Sequence, residues 1–239
     1  ANHGTELRWT FAELDARVDA LARGLLALGV ERGEHVALWA ANVPDWIPLE
    51  YALARVGAVL VTVNTALGLD EVGYVLRQSR ARTVLHTTAT GSNAASASLD
   101  ALLGDERARP PELLRRVWIP SAPDDTAPQG YDPAVDAVRT LTPLAEIVAR
   151  GETLAPHAVS EREALLAADD VVNIQYTSGT TGFPKGVMLT HSNIVGNAAT
   201  LADHVGIEPD DRVALFVPLF HCFGCAVTVL CSHGNGAAA

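Results

Sequence analysis

The alternation of helix and strand between residues 10 and 86 restricts the fold more than any other feature of the chain. Thr10-Phe11-Ala12-Glu13 is a capping box, in which the Thr10 hydroxyl and the Glu13 carboxylate each satisfy a backbone donor left over at a helix start. Leu14, Val18, Leu21, Leu25 and Leu28 follow at helical spacing as one apolar stripe, and Gly29 supplies a left-handed stop. His35 to Ala40 reads as a buried strand and Pro44 to Val56 as a second helix closed by Gly57. Ala58 to Val63 is a second strand, Asp70 to Arg77 a third helix and Thr83 to His86 a third strand. Repeated strand, helix and strand at this spacing mean βαβ units, an α/β fold of mainly parallel sheets with flanking helices.

The signal weakens between residues 87 and 169. Thr88 to Ser98 is small and polar, and Pro120 to Pro133 is rich in Pro and Asp, so both read as loops. Val117 to Pro120 is a candidate short strand and Pro143 to Arg150 a candidate helix. Three portions result: a βαβ portion over 1–86, a loop-rich middle over 87–169, and a third portion over 170–239.

Composition removes several function classes. The 239 residues are 49% apolar and 19% charged, ordinary for a globular chain, and the net charge of −11 argues against broad nucleic-acid binding. The N-terminus lacks a basic start followed by an apolar run, so no secretory signal is expected. Val213 to Cys231 is long enough to span a membrane, but Pro218 and Gly224 interrupt it, and it reads instead as buried strand. Cys222, Cys225 and Cys231 give an odd count that suits a reducing, cytoplasmic setting. Their spacing suggests a metal cluster, but thiols in so apolar a segment read as core residues, and no metal site is expected.

The chemistry is concentrated after a β-branched strand, Val171 to Tyr176. That strand opens directly into Thr177, Ser178, Gly179, Thr180, Thr181, Gly182, Phe183, Pro184, Lys185 and Gly186. Glycines let a backbone turn its N–H groups onto a ligand, and hydroxyls with one ammonium complete a cage for phosphate oxygens. The Walker A order is absent, because Lys185 is followed by Gly186 rather than Ser or Thr. The 17 basic residues are 16 Arg and one Lys, and that Lys is Lys185. A compact, flexible point charge suits a mobile phosphate contact better than a guanidinium fork does.

Tyr176 to Gly186, YTSGTTGFPKG, resembles the signature loop of the adenylate-forming superfamily of acyl-CoA synthetases, luciferase-like enzymes and peptide-synthetase adenylation domains. Thr10 to Leu14 is similar to that family's first helix, Ala41 to Trp46 to its Asn-x-Pro-Glu-Trp helix start, and Gly57 to Asn64 to its second strand. The resemblance implies that Thr177, Ser178, Gly179, Thr180, Thr181, Gly182 and Lys185 bind ATP phosphates and guide pyrophosphate departure as a carboxylate attacks the α-phosphorus. It extends to Pro218-Leu219-Phe220-His221-Cys222-Phe223-Gly224, where His221 takes the place of a histidine beside the acyl carboxylate. Alone, a histidine in this segment reads as a buried, satisfied core residue; the resemblance gives it a ligand role. Amino-acid-activating members carry an Asp near this point and Phe220 to Phe223 has none, so a plain carboxylic acid is implied. Medium- to long-chain fatty acyl-CoA ligases match best, with aryl-acid CoA ligases close behind.

The implied cofactors are ATP, magnesium, and coenzyme A as co-substrate. The family's magnesium-holding Glu, ribose-binding Asp, adenine loop and small C-terminal domain with its catalytic Lys have no counterpart in residues 1–239. Members run to roughly twice this length. The expectation is therefore a partial N-terminal AMP-binding domain, inactive alone. The competing expectation is a non-catalytic nucleotide- or partner-binding fragment.

Overall fold

The computed structural model describes residues 7–90, 94–122, 125–128, 141–177 and 184–239. Its first helix, α1 (Phe11–Ala27), starts as the capping box requires: Thr10 Oγ1 accepts from the Glu13 N–H at 3.2 Å, and Glu13 Oε2 accepts from the Thr10 N–H at 2.7 Å. Gly29 leaves the helix at φ +83°, the left-handed conformation that favours glycine. β1 (His35–Trp39), α2 (Trp46–Arg55), β2 (Val59–Thr62), α3 (Leu69–Gln78) and β3 (Thr83–His86) follow in the expected order. Gly57 closes α2 at φ +70°.

The middle of the chain holds more regular structure than its sequence suggests. α4 (Ala95–Gly104), β4 (Arg115–Trp118), β5 (Leu141–Pro143), α5 (Leu144–Gly151) and α6 (Ala158–Glu163) lie there. α4 begins inside the stretch read as a loop, because its first turn is Ala and Ser, and Leu99, Leu102 and Leu103 carry its burial. β6 (Val171–Thr177), β7 (Lys185–Thr190), α7 (His191–Val205), a π-helix (Phe223–Val229) and α8 (Leu230–Gly234) complete the chain.

Among the described residues one seven-stranded sheet runs in the order β5-β4-β3-β1-β2-β6-β7, parallel throughout except for β6 against β7. Alternate residues of β1 enter two different cores. Val36 and Leu38 meet α1, α2 and α5, whereas Ala37 and Trp39 meet α3 and α4. Burial on both faces is what a parallel sheet between helix layers demands. α2 links β1 to β2 on one face, and α3 links β2 to β3 on the other, so the winding changes direction here. Open α/β sheets bind ligands in the crevice at the carboxyl ends of strands at such a point.

The segment from Val213 to Cys231 departs from the strand reading. Its first part is irregular and partly exposed, with Phe216 86% exposed, and its second part is helical. The Thr228 hydroxyl donates to the Phe223 carbonyl five residues back at 2.7 Å, the spacing of a π-turn. Cys225, Ala226 and Val229 then pack into the core shared with α2, so tertiary burial overrides the β-branched composition. Among the described residues no helix is long and apolar enough to cross a membrane.

Candidate functional site

β6 and β7 form an antiparallel hairpin with Tyr176 opposite Gly186 and Thr177 opposite Lys185. The described ends of the glycine- and hydroxyl-rich motif thus face each other, at the carboxyl edge of the parallel strands. Ser178, Gly179, Thr180, Thr181 and Gly182 lie outside the described residues. Gly186 leaves little room for a larger residue: a Cβ there would lie 3.0 Å from Ile174 Cγ2 and 3.2 Å from Tyr176 Cζ, so those side chains would have to give way. The Tyr176 hydroxyl donates to Gln78 Oε1, and Tyr74 donates to the Pro184 carbonyl at 3.1 Å, so α3 pins both sides of the hairpin. Burial pushes the Tyr176 hydroxyl up to about 12, which keeps it a neutral donor. Lys185 is exposed, and among the described residues it has no ion-pair partner.

His221 also lies at this edge, and the structure corrects the expectation of a buried imidazole. It is exposed, on a tight turn before the π-helix. Its Nδ1 accepts from the Phe223 N–H at 3.1 Å, so the neutral ring carries its proton on Nε2. The turn depends on Gly224, whose Cβ position lies 2.4 Å from the Pro218 carbonyl oxygen. Asn42, after β1, reaches across to this segment: Nδ2 donates to the Val217 carbonyl and Oδ1 accepts from the Leu219 N–H, both at 2.9 Å. Strands two apart in a sheet are about 10 Å apart. The β1 end, which holds the His221 segment through Asn42, and the β6 end, which opens into the glycine- and hydroxyl-rich motif, therefore stand at the same carboxyl edge of the sheet, where open α/β folds place a ligand crevice.

A buried polar cluster underlies that crevice. Thr62 Oγ1 donates to Gln175 Oε1 at 3.2 Å, while Gln175 Nε2 donates to Asn173 Oδ1 at 3.0 Å and reaches Cys225 Sγ at 3.4 Å. Glu50 of α2 completes it at 7% exposure, with Oε2 buried and lacking a hydrogen-bond partner. Burial pushes its carboxyl up to about 8, partly offset by the Cys225 thiol, so it is mostly a neutral acid at pH 7. Sequence reasoning missed Glu50 because a charged residue in a helix normally reads as a solvated face. The available signal was its place among Leu49, Ala52 and Leu53 on a helix with little polar surface.

All three cysteines are free, and among the described residues no group of three or more His, Cys, Asp or Glu could hold a metal ion. A separate cleft of about 570 Å³ opens between α1, α2, α7 and α8, with Phe11, Tyr51, Val195, Leu230 and His233 on its walls. Thr177, Lys185 and His221 do not line it, so it is not the site described above.

The family profile described as AMP-binding enzyme matches residues 1–239. YngI of Bacillus subtilis, a candidate acyl-CoA synthetase, is 37% identical over 245 residues, covering 97% of this chain and 41% of its own length. The mitochondrial medium-chain acyl-CoA ligase of Danio rerio is 33% identical over 220 residues, covering 91% of this chain and 35% of its own. The N-terminal domain of FACL13 from Mycobacterium tuberculosis, seen in an inhibitor-bound crystal structure, superposes with a TM-score of 0.73 at 30% identity. That match covers 98% of this chain and 50% of that one. The chain therefore spans about two fifths of the length of the curated relatives it matches.

Proposed function

We propose, since this chain belongs to the AMP-binding enzyme family, that it is the front part of an enzyme that activates a carboxylic acid with ATP and passes the acyl group to coenzyme A. The observation that carries this reading is the pairing of Thr177 with Lys185 at the carboxyl edge of the sheet, the edge to which Asn42 also ties the segment leading to His221. A carboxylate oxygen attacks the α-phosphorus, the bond to the β-phosphate oxygen breaks, and pyrophosphate leaves. The coenzyme A sulfur then attacks the acyl carbonyl carbon, and AMP departs. Lys185 and the hydroxyls and N–H groups from Thr177 to Gly182 stabilise charge on the leaving phosphates. His221 donates from Nε2 to the acyl carboxylate and then to the adenylate.

Magnesium would accompany the nucleotide phosphates, and the family's magnesium-holding Glu that would ligate it has no counterpart in residues 1–239. A fatty acid of medium to long chain is the proposed substrate, supported by the named activity of the Danio rerio relative and by the absence of a carboxylate in Phe220 to Phe223. Three free cysteines support a reducing compartment such as the cytoplasm.

Two measurements test the proposal. Lys185→Ala should weaken triphosphate binding by roughly 1–3 kcal/mol, with little change for AMP, because a charge-assisted contact to the outer phosphates is lost. Equal losses for both nucleotides would remove the phosphate assignment. Acid-dependent pyrophosphate exchange should be negligible for residues 1–239 alone and ready in the longer natural polypeptide. Robust exchange by the short chain, or silence from the long one across a broad acid panel, overturns the reading.

A further inference from the structure

We infer that Asn42 is a positioning residue for His221, holding the turn that presents the imidazole to the crevice. The inference rests on the acyl-site reading of His221 given above. Asn42 lies just beyond the carboxyl end of β1, and both ends of its amide are used. Nδ2 donates to the Val217 carbonyl and Oδ1 accepts from the Leu219 N–H, each at 2.9 Å. The side chain thereby brackets Pro218, which has no N–H of its own to offer. It pairs with the segment much as a neighbouring strand would.

From Leu219 onward the path to His221 is tightly specified. Leu219 is 2% exposed in the core shared by α1 and α2. The His221 N–H donates to the Pro218 carbonyl at 3.1 Å, and the His221 carbonyl accepts from the Gly224 N–H at 2.8 Å. Phe216, His221 and Phe223 are themselves exposed, so the burial of Leu219 anchors one point but does not fix how this stretch runs over the sheet. A directional pair of hydrogen bonds from the rigid sheet edge does. Asn42 is exposed too, so neither bond is forced by a need to satisfy a buried amide. Misplacing a reacting group by about 1 Å costs on the order of 100-fold in rate.

The test is a double-mutant cycle on acid-dependent pyrophosphate exchange in the longer natural polypeptide, with Leu219 amide exchange as a second readout. Asn42→Ala should lower kcat roughly 10- to 100-fold, leave the KM for ATP within about twofold, and speed hydrogen exchange at Leu219. In a His221→Ala background the same change should cost less than about threefold, because the group it positions is gone. Should Asn42→Ala fail to fold, Asn42→Asp keeps the acceptor for Leu219 and loses the donor to Val217. It should show the same non-additivity. Equal losses in both backgrounds, or unchanged kcat for Asn42→Ala where His221→Ala is crippling, overturn the positioning role. If His221→Ala itself exchanges normally, the acyl-site reading falls first, whatever Asn42→Ala does.

Discussion

Replacing Glu50 by Gln should stabilise this protein at neutral pH and flatten its response to alkali. Glu50 is 7% exposed, and Oε2 lies in the interior without a hydrogen-bond partner. Desolvation therefore lifts its carboxyl from an ordinary 4.5 to about 8. The folded chain holds a proton that the unfolded chain has released between those two values. Stability from this group is complete below pH 4.5 and falls as pH rises towards 8, by about 1.4 kcal/mol per unit. By pH 7 the loss is on the order of 3 kcal/mol. Gln keeps the shape and the hydrogen-bonding capacity but cannot ionise. Urea unfolding midpoints at pH 5, 6, 7 and 8 should differ least between the two proteins at the acid end, then diverge further in favour of Glu50→Gln. His86, held down to about 3 by burial and by Arg116, titrates alike in both proteins and cancels in the difference. A stability difference that stays constant across this range would refute a neutral, buried Glu50.

Two further outcomes follow from packing and from the cysteines. Gly151→Ala should destabilise by roughly 1–3 kcal/mol in denaturant unfolding, because its Cβ would sit 2.5 Å from the Gly24 nitrogen where α1 crosses α5; a neutral result would mean that the helices separate freely. Metal analysis of the purified chain should find no stoichiometric zinc, and chelator should leave stability unchanged, as expected of Cys225 and Cys231 acting as buried core thiols; one zinc per chain, lost together with folding, would refute this.

The chain's local structure was legible in its residues wherever cause and effect lie close together. Thr10 and Glu13 bond each other's backbone three residues apart, and Gly29 and Gly57 end helices by their own freedom at positive φ. The apolar runs of β1, β2 and β3 announce strands covered on both faces, and hence a parallel sheet. Thr177, Lys185 and His221 could be picked out as candidates because glycine, hydroxyl and charge density need no partner to be noticed. What the tertiary structure decided depends on groups far apart in the chain. Thr62 meets Gln175 across 113 positions, and β6 enters the sheet beside β2 rather than at the far edge. Asn42 acquires its role from Val217 and Leu219, more than 170 positions away. Glu50 is an ordinary acidic residue until α2, β6 and the π-helix close around it and remove the water that would have kept it charged. Desolvation and directional hydrogen bonding belong to a place in space, and no window of sequence contains that place.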